Sequence, residues 1–413
     1  MTSAGNIMKH MTVLPIIAII AVGILTIIGS GGGDDAVIPP FDLYEGLAIQ
    51  DLNADGLADI AVAYRHVDAA PPHPGTVSVY LQNPAQSGSF LPPTRYAIGN
   101  TPRQLKIADL NDDNLPDIVV VNNESYSVSV LFQQVGAAGV FRPVKNFATI
   151  IKPNGLGISD INGDNRPDIA IAGYGGAANP QNGVAVLLHD SVGLESFLDA
   201  QVINSGSISE SITSADLNND GHMDLVVDSE TDIKVLFQDP DVPLTFSSLT
   251  LGAGTRPGYV EITDFDQDGH VDILVANAGS SVDGSGASVS FIRQNSTNAG
   301  EFLPRVNYVT ANGARTFVVA DLNNDNYPDI AVATVVFQSQ APGAVSVLLQ
   351  NAANPGTVFP HVDYTDGYTP YYIAAGNLNN DSNKDLAVTH ELVLLFQDPA
   401  QPGTFKAPVR LAP

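Results

Sequence analysis

A nine-residue acidic pattern that recurs seven times constrains this chain more than any other feature. In its fullest form it reads DFDQDGHVD over residues 264–272, with oxygen-bearing side chains at positions 1, 3, 5 and 9. Alternate residues of a tight loop can direct their oxygens at one centre, and a backbone carbonyl at position 7 can complete the shell. A hard cation with oxygen ligands at about 2.3–2.6 Å prefers this arrangement. The pattern therefore predicts a calcium loop in each copy, up to seven Ca²⁺ in all.

The candidate ligands sit at the same positions in every copy, with position 7 contributing its backbone carbonyl. They are Asp51, Asn53, Asp55, Leu57 and Asp59; Asp109, Asn111, Asp113, Leu115 and Asp117; Asp160, Asn162, Asp164, Arg166 and Asp168; Asp216, Asn218, Asp220, His222 and Asp224; Asp264, Asp266, Asp268, His270 and Asp272; Asp321, Asn323, Asp325, Tyr327 and Asp329; and Asn377, Asn379, Asp381 and Asp385. Asn at position 3 keeps the oxygen and lowers the charge. We therefore expect the last copy, which begins with Asn377 and has Ser382 at the sharp-turn position 6, to bind most weakly.

The residues after each loop predict a buried strand. An EF-hand carries a bidentate Glu at position 12, whereas positions 10–12 here read IAV, IVV, IAI, LVV, ILV, IAV and LAV. Short, wholly apolar, β-branched runs are typical of strands buried on both faces. The loop therefore leads into a β-strand, and an EF-hand helix is excluded.

Each loop belongs to a longer repeat that predicts four strands. A second apolar strand follows at 77–82, 128–133, 184–189, 233–238, 289–294, 345–350 and 392–397, and a more polar strand then opens at Phe90, Phe141, Phe197, Phe246, Phe302, Phe359 and Phe405. Seven such units of about 50 residues predict an all-β fold, a seven-bladed β-propeller with four-stranded antiparallel blades. We expect the C-terminal segment 403–411 to close the ring by completing the first blade. An open solenoid is the alternative.

The loops, the apolar triplets and the V-x-V-L-x-Q strands together resemble FG-GAP/VCBS repeats, the type found in the integrin α-subunit propeller. The resemblance covers residues 44–413. It implies calcium at the hairpin between the first and second strands of each blade, all on one face. It also implies that ligands dock on the opposite face. Integrins carry the motif in only some blades, whereas nearly every blade has it here, which favours a structural role for the metal.

Charge and composition exclude several classes of protein. The net charge is −27, which argues against a nucleic-acid partner. Positions 1, 3, 5 and 9 of the loops hold three acidic residues in each of five copies, four in the Asp264 copy and two in the last, a large part of the 44 in the chain. Much of the acidity is therefore metal-site chemistry. The absence of cysteine excludes disulfides and thiolate metal sites.

The N-terminal region predicts export. Residues 11–29 carry no charge, follow Lys9 and precede Asp34 and Asp35, which places the bulk of the chain outside the cytoplasm. We interpret 1–33 as a signal peptide or an N-terminal membrane anchor and 34–43 as a linker. The junction resembles a lipoprotein cleavage site in which Ser30 replaces the acylated cysteine. A cleaved signal and a retained anchor are both consistent with the sequence.

The face opposite the metal loops is the expected binding surface, because its connections 63–76, 173–183, 276–288 and 334–344 vary in length on a constant scaffold. It includes Arg103, Lys152, Arg256 and Arg315, and the aromatic residues Tyr368, Tyr371 and Tyr372. No catalytic motif is present. The sequence therefore favours an exported, monomeric, non-enzymatic calcium-binding module for adhesion to a protein or glycan at the cell envelope. A carbohydrate-binding lectin and a polysaccharide-degrading enzyme on the same propeller are the alternatives.

Overall fold

The computed structural model describes residues 42–67, 72–149, 151–174, 183–205, 209–280, 285–336, 342–365, 367 and 369–411. These residues belong to one compact unit, Pro40–Pro413. The predicted leader, residues 1–33, lies outside them. Within the described part of the chain, no helix has the length and apolar character needed to cross a membrane.

The described residues form seven four-stranded antiparallel sheets, and each sheet uses four consecutive strands. Blade 1 contains β1 Asp42–Gln50, β2 Asp59–His66, β3 Gly75–Tyr80 and β4 Thr94–Ile98; blade 2 contains β5 Pro102–Ala108, β6 Asp117–Asn122, β7 Ser127–Leu131 and β8 Lys145–Ala148; blade 3 contains β9 Lys152–Ser159, β10 Asp168–Tyr174, β11 Gly183–Leu187 and β12 Gln201–Ile203; blade 4 contains β13 Ile212–Ala215, β14 Asp224–Asp228, β15 Asp232–Gln238 and β16 Phe246–Gly252. Blade 5 contains β17 Pro257–Thr263, β18 Asp272–Asn277, β19 Ser288–Ile292 and β20 Val306–Val309; blade 6 contains β21 Gly313–Ala320, β22 Asp329–Val335, β23 Ala344–Leu348 and β24 Val362–Tyr364; blade 7 contains β25 Ile373–Gly376, β26 Asp385–Val388, β27 Val393–Leu395 and β28 Val409–Arg410.

The sheets form a closed ring around a central axis. The first strand of each blade contacts the first strand of the next, from β1 through β5, β9, β13, β17 and β21 to β25, and β25 contacts β1. The first strands are therefore innermost. The fourth strands are largely exposed, as in β4 and β28, and form the rim. The predicted seven-bladed propeller is confirmed.

The ring closes differently from our prediction. We expected residues 403–411 to complete blade 1, but Val409 and Arg410 pair with Leu394 and Val393 in blade 7. Blade 1 has its own outer strand, β4, which pairs with β3. The reason is the phase of the repeat: every outer strand follows the loop of its own blade, so no blade lacks one. The closure therefore rests on packing between complete blades and involves no exchange of strands.

The hydrophobic core is divided into seven clusters, and each cluster fills the space between two neighbouring blades. The second strands supply fully buried side chains such as Val62, Val120 and Ile171. Burying an aliphatic side chain of this size stabilises the fold by about 1.5–3 kcal/mol. The cluster between blades 7 and 1 joins Leu47 and Ile60 to Leu394 in the same manner as the others. This packing makes a strand exchange unnecessary.

A glycine allows close approach at the junction of blades 7 and 1. A Cβ atom on Gly376 would lie 2.4 Å from Cγ2 of Ile49, far inside van der Waals contact. The sixth blade carries Ala320 at the equivalent position, directly before its loop. The seventh blade therefore needs glycine here to admit the side chain of blade 1.

Substitution of this glycine should weaken ring closure. We expect Gly376→Ala to lower the free energy of unfolding by about 1–3 kcal/mol, because the added methyl group forces Ile49 to move. Urea denaturation measures the effect. In an Ile49→Ala background the same substitution should cost much less, since the colliding atom is gone. Equal costs in both backgrounds would show that the contact with Ile49 is not the constraint.

Candidate functional site

The acidic loops connect the first and second strands of all seven blades, so they lie together at one end of the ring. Their backbone is the same in every copy. Positions 4 and 6 adopt positive φ angles throughout: Ala54 and Gly56, Asp112 and Asn114, Gly163 and Asn165, Asn219 and Gly221, Gln267 and Gly269, Asn324 and Asn326, Asn380 and Ser382. A left-handed conformation costs a non-glycine residue roughly 1–2 kcal/mol. Residues as different as Ala54, Gln267 and Ser382 share it, so the loop imposes the conformation.

Hydrogen bonds from the loop backbone to the acidic side chains hold this conformation. In the first loop Asp51 accepts from the N–H of Gly56 at 2.8 Å, Asn53 accepts from Asp55 N at 3.0 Å, and Asp55 accepts from Leu57 N at 2.9 Å. These side chains therefore curl back over their own loop. Each oxygen keeps a second lone pair.

The side chains at positions 1, 3 and 5 fit a hard cation. Carboxylate oxygens of Asp264, Asp266 and Asp268 lie within 4.8 Å of one another, the one such acidic cluster in the described residues. Two oxygens bound at 2.3–2.6 Å to one ion are separated by at most about 5 Å. In the first loop Asn53 Nδ2 lies 3.1 Å from Asp55 Oδ2, so these side chains also converge. A bound calcium ion would offset the repulsion between such carboxylates.

The carboxylate at position 9 has a second set of partners that the sequence did not suggest. Asp59 is fully buried; its Oδ2 accepts the N–H of Leu52 at 2.9 Å, and its Oδ1 accepts the N–H of Gln82 at 2.8 Å. The same pair of bonds forms at Asp117, Asp168, Asp224, Asp272, Asp329 and Asp385. This side chain therefore ties the loop to the third strand of its own blade, and its role as a metal ligand stays a prediction.

Burial of these position-9 side chains perturbs their titration. It raises the pKa to about 6 for Asp59, Asp168, Asp224 and Asp385, and to about 7 for Asp117, Asp272 and Asp329, although the two backbone N–H donors oppose the rise. The acidic side chains at positions 1 and 5 of the same loops add to it in four of the seven copies, and those at positions 3 and 5 do so for Asp272. A nearby cation favours the ionised form of a carboxyl group.

The seventh loop differs from the others at the residue where the sequence departs from the pattern. In the first six loops the N–H of position 6 donates to the second oxygen of position 1 at 2.7–3.0 Å. Asn377 carries an amide nitrogen there, which cannot accept a hydrogen bond. It keeps only the bond from Asp381 N to its Oδ1 at 3.0 Å. This difference is consistent with the weakest predicted site.

The fifth loop is distinguished by an arginine. Arg293 Nη2 lies 2.5 Å from Asp266 Oδ2, and its Nε lies 3.6 Å from Asp268 Oδ2. The other six copies have Leu or Phe at the position of Arg293, and they have Asn at the position of Asp266. The additional carboxylate and the arginine therefore occur in the same copy. The guanidinium offsets the charge of the additional carboxylate in this loop.

A buried glutamine at the end of the third strand connects neighbouring blades. Gln238 Nε2 donates to Met223 O of its own loop at 3.1 Å and to Ile161 O of the preceding blade's loop at 3.0 Å. Gln82, Gln294 and Gln350 make the corresponding two bonds. The sequence pattern contained this residue, but only the assembled ring reveals its role.

The turn between the third and fourth strands also covers the loop of the preceding blade. A Cβ atom on Gly139, Gly300 or Gly403 would lie 3.2 Å from the Cβ atom of the loop residue at position 3. Across the ring junction, Ser87 Oγ donates to the backbone oxygen of Asn379. These loops are therefore held by their own blade and by the next one.

The opposite end of the ring collects the predicted basic and aromatic residues. Arg103 pairs with Glu45 at 3.1 Å, Lys152 lies 5.4 Å from the ring centroid of Tyr174, and Arg315 lies 5.1 Å from that of Tyr371. Arg256 lies directly before β17, and Tyr368 lies outside the described residues. Sequence reasoning missed Glu45 and Glu210. Alignment of the seven copies would have placed both at the position six residues before their loops.

Comparison with known families identifies the repeat itself. The model for FG-GAP-like repeats matches residues 51–120, 109–171, 160–227 and 264–332. No curated protein matches the chain.

Solved structures with a similar arrangement include a rhamnogalacturonan lyase PL11 of Bacillus licheniformis and the biofilm matrix protein Bap1 of V. cholerae. The first is 12% identical with a TM-score of 0.46, and the similarity covers 86% of this chain and 71% of that chain. The second is 13% identical with a TM-score of 0.45, and the similarity covers 90% of this chain and 81% of that chain. Similarity this distant says nothing about a shared ligand or activity.

Loss of the glutamine that connects two blades should destabilise the ring. We expect Gln238→Leu to lower the free energy of unfolding by about 1–3 kcal/mol, because two buried carbonyl groups lose their donor. The midpoint of urea denaturation measures this change. Gln201→Leu removes an exposed glutamine of β12 and serves as the control. A similar small effect of both substitutions would show that the interblade bonds contribute nothing.

Removal of the arginine at the fifth loop should strengthen calcium binding there. We expect Arg293→Leu, which restores the residue of three other copies, to tighten one site by roughly two- to tenfold, since a cation no longer opposes the ion. Calcium titration of the ion-free protein against a competing chelator measures it. Arg305→Leu makes the same charge change on an exposed side chain of blade 5. A matching gain in that control would assign the effect to net charge.

Proposed function

Because the chain belongs to the FG-GAP-like repeat family, we propose that it is an exported, calcium-stabilised propeller that binds a protein or glycan at the cell envelope without catalysis. One observation carries the binding role. The end of the ring that holds the acidic loops repeats the same residues in every blade, whereas the opposite end presents different polar and aromatic residues in each blade. A surface whose residues differ from blade to blade on a repeating scaffold is suited to recognition.

The calcium role is supported by the loop geometry. Asp264, Asp266 and Asp268 already bring their oxygens close enough to share one ion. The loop backbone is alike in all copies. Asp51, Asn53, Asp55, the carbonyl of Leu57 and Asp59 would hold the ion in the first loop, and the corresponding residues would do so in the others. Extracellular modules can use weak calcium sites because the ion is abundant there, which suits export.

The proposed sites would stabilise the ring as a whole. An ion that binds only the folded state stabilises it by about 2.7 kcal/mol when its concentration is a hundred times Kd. Four of the loops accept a hydrogen bond from a glutamine of the next blade, and several are covered by its turn. Loss of calcium from one loop would therefore also weaken an interface.

Chelation should lower the thermal stability of the protein substantially. We expect the unfolding midpoint to fall by more than 10 °C in excess EGTA, because several sites each contribute on the order of 1–3 kcal/mol. Differential scanning calorimetry with and without millimolar calcium measures the shift. Magnesium at the same concentration is the control, since it prefers a smaller octahedral shell. An unchanged midpoint would contradict structural calcium.

The binding role is tested by presenting the calcium-loaded protein to a glycan array and to immobilised envelope proteins. Saturable binding to either supports the proposal and identifies the class of partner. Turnover of a polysaccharide would replace the proposal with the enzymatic alternative. The absence of binding to both classes would contradict it.

A further inference from the structure

The residue six positions before each acidic loop forms a ring around the axis, at the end opposite the loops. The seven residues are Glu45, Arg103, Asn154, Glu210, Gly258, Arg315 and Tyr371. Five lie in the innermost strand of their blade, and Glu210 and Tyr371 lie two residues before the start of theirs. We call this set the mouth ring. Its side chains differ chemically from blade to blade, whereas the loops six residues later repeat.

A β-bulge sets the mouth ring apart from the regular strand pairing. In the first blade Tyr44 pairs with Tyr64 and Gly46 with Ala63, which leaves Glu45 as the additional residue. The register shifts at the same position in blades 2, 3, 5 and 6. Bulges re-aim side chains and are common beside binding sites.

In blades 4 and 7 a side chain of the second strand takes over part of the pairing. Asp228 Oδ1 accepts the N–H groups of both Glu210 and Ser211 at 2.8 Å. Thr389 Oγ1 accepts the N–H of Tyr372 at 2.9 Å. The irregularity therefore occurs at this level of every blade, by one of two means.

Members of the mouth ring and their neighbours surround one space. Glu45 accepts a hydrogen bond from Arg103 at 3.1 Å and forms an ion pair with Arg65 at 3.1 Å. Burial raises the pKa of Tyr372 to about 12, and Arg315, Glu45, Arg103 and Glu210 all act on the same phenol. These four charged residues come from blades 6, 1, 2 and 4. The Tyr372 phenol is therefore within electrostatic reach of charged residues from several blades.

The part of the mouth ring formed by Glu210, Gly258 and Arg315 contains free space, and we call it the open sector. Both oxygens of Glu45 are occupied by arginines, but the ion pairs of the described residues include no partner for Arg315 or Glu210. The Nε of Arg315 is buried and has no hydrogen-bond acceptor in the described part of the chain. Between these two blades stands Gly258; an added Cβ atom would meet only Glu210 Oε2, at 3.9 Å. The sector thus combines a cation and an anion that form no ion pair in the described residues with free space.

We propose that this open sector binds a small carboxylate ligand that carries hydrogen-bond donors beside its carboxylate. Arg315 would bind the carboxylate through its planar guanidinium, which matches that group in a two-point contact. Glu210 would accept from a neighbouring hydroxyl or ammonium group, and the ligand would lie over Gly258. The inference rests on the proposed binding function and narrows it to one place and one chemistry.

The test uses isothermal titration of the full chain in millimolar calcium with three probes. D-glucuronate carries hydroxyl donors, glycine carries an ammonium donor, and D-glucose lacks the carboxylate. We expect glucuronate or glycine to bind, and the one that binds identifies the donor; glucose should bind at least tenfold more weakly. Binding of neither carboxylate, or equal binding of glucose, would overturn the proposal.

Three variants locate the site. Arg315→Gln should weaken binding about 10- to 100-fold, since a charge-assisted hydrogen bond is lost. Glu210→Gln changes an exposed side chain and should weaken it less. Gly258→Leu should abolish it by filling the sector, and Arg305→Gln is the matched arginine control. Unchanged affinity in both Arg315→Gln and Gly258→Leu would overturn the assignment.

The same variants separate this proposal from the general binding role. If the wild-type protein and Arg315→Gln bind a glycan array or envelope protein equally, the module binds elsewhere and only the mouth-ring assignment fails. If the wild-type protein binds neither the arrays nor the small probes, the proposed function fails with it. Calcium-dependent thermal stability, measured in each variant, confirms that the ring is folded.

Discussion

A buried carboxylate at the ninth position of each loop is the interaction on which the rest of the structure depends. It accepts one N–H from its own loop and one from the third strand, as Asp59 does from Leu52 and Gln82. A buried carboxylate without such donors would be strongly unfavourable. These two backbone hydrogen bonds therefore fix the position of the hairpin formed by the first two strands relative to the third strand. Every blade obtains its shape from this contact.

The end of the third strand also binds the preceding blade. The backbone of Gln238 binds its own Asp224, and its side chain binds the carbonyl of Ile161 in the blade before it. Together with the apolar clusters between blades, these bonds make each blade dependent on its neighbours. The ring closes when the last interface forms, and Gly376 makes room for Ile49 there. No exchanged strand is needed because every interface has similar contents.

The two ends of the ring consequently serve different purposes. At the loop end, the position-9 carboxylates, the glutamines and the covering turns hold the loops in place, and the residues repeat from blade to blade. At the other end, a bulge in five of the blades frees one residue of the innermost strand from regular pairing, as it does Glu45 and Arg315. Such residues can change without disturbing the ladder. The scaffold therefore keeps its stabilising interactions away from the surface proposed for recognition.

The sequence by itself determined the features that depend on local chemistry. Alternating oxygen side chains, turn residues and apolar triplets lie within a dozen residues of one another, so they established the loops, the buried strands and the number of blades. Tertiary structure decided whatever depends on partners distant in the chain. It showed that Val409 and Arg410 stay in the last blade, because periodicity does not reveal where a repeat begins. It gave Gln238 its second partner, 77 residues away. It also placed Arg315 and Glu210 at the same end of one ring, because only closure of the ring arranges separate blades around a common axis.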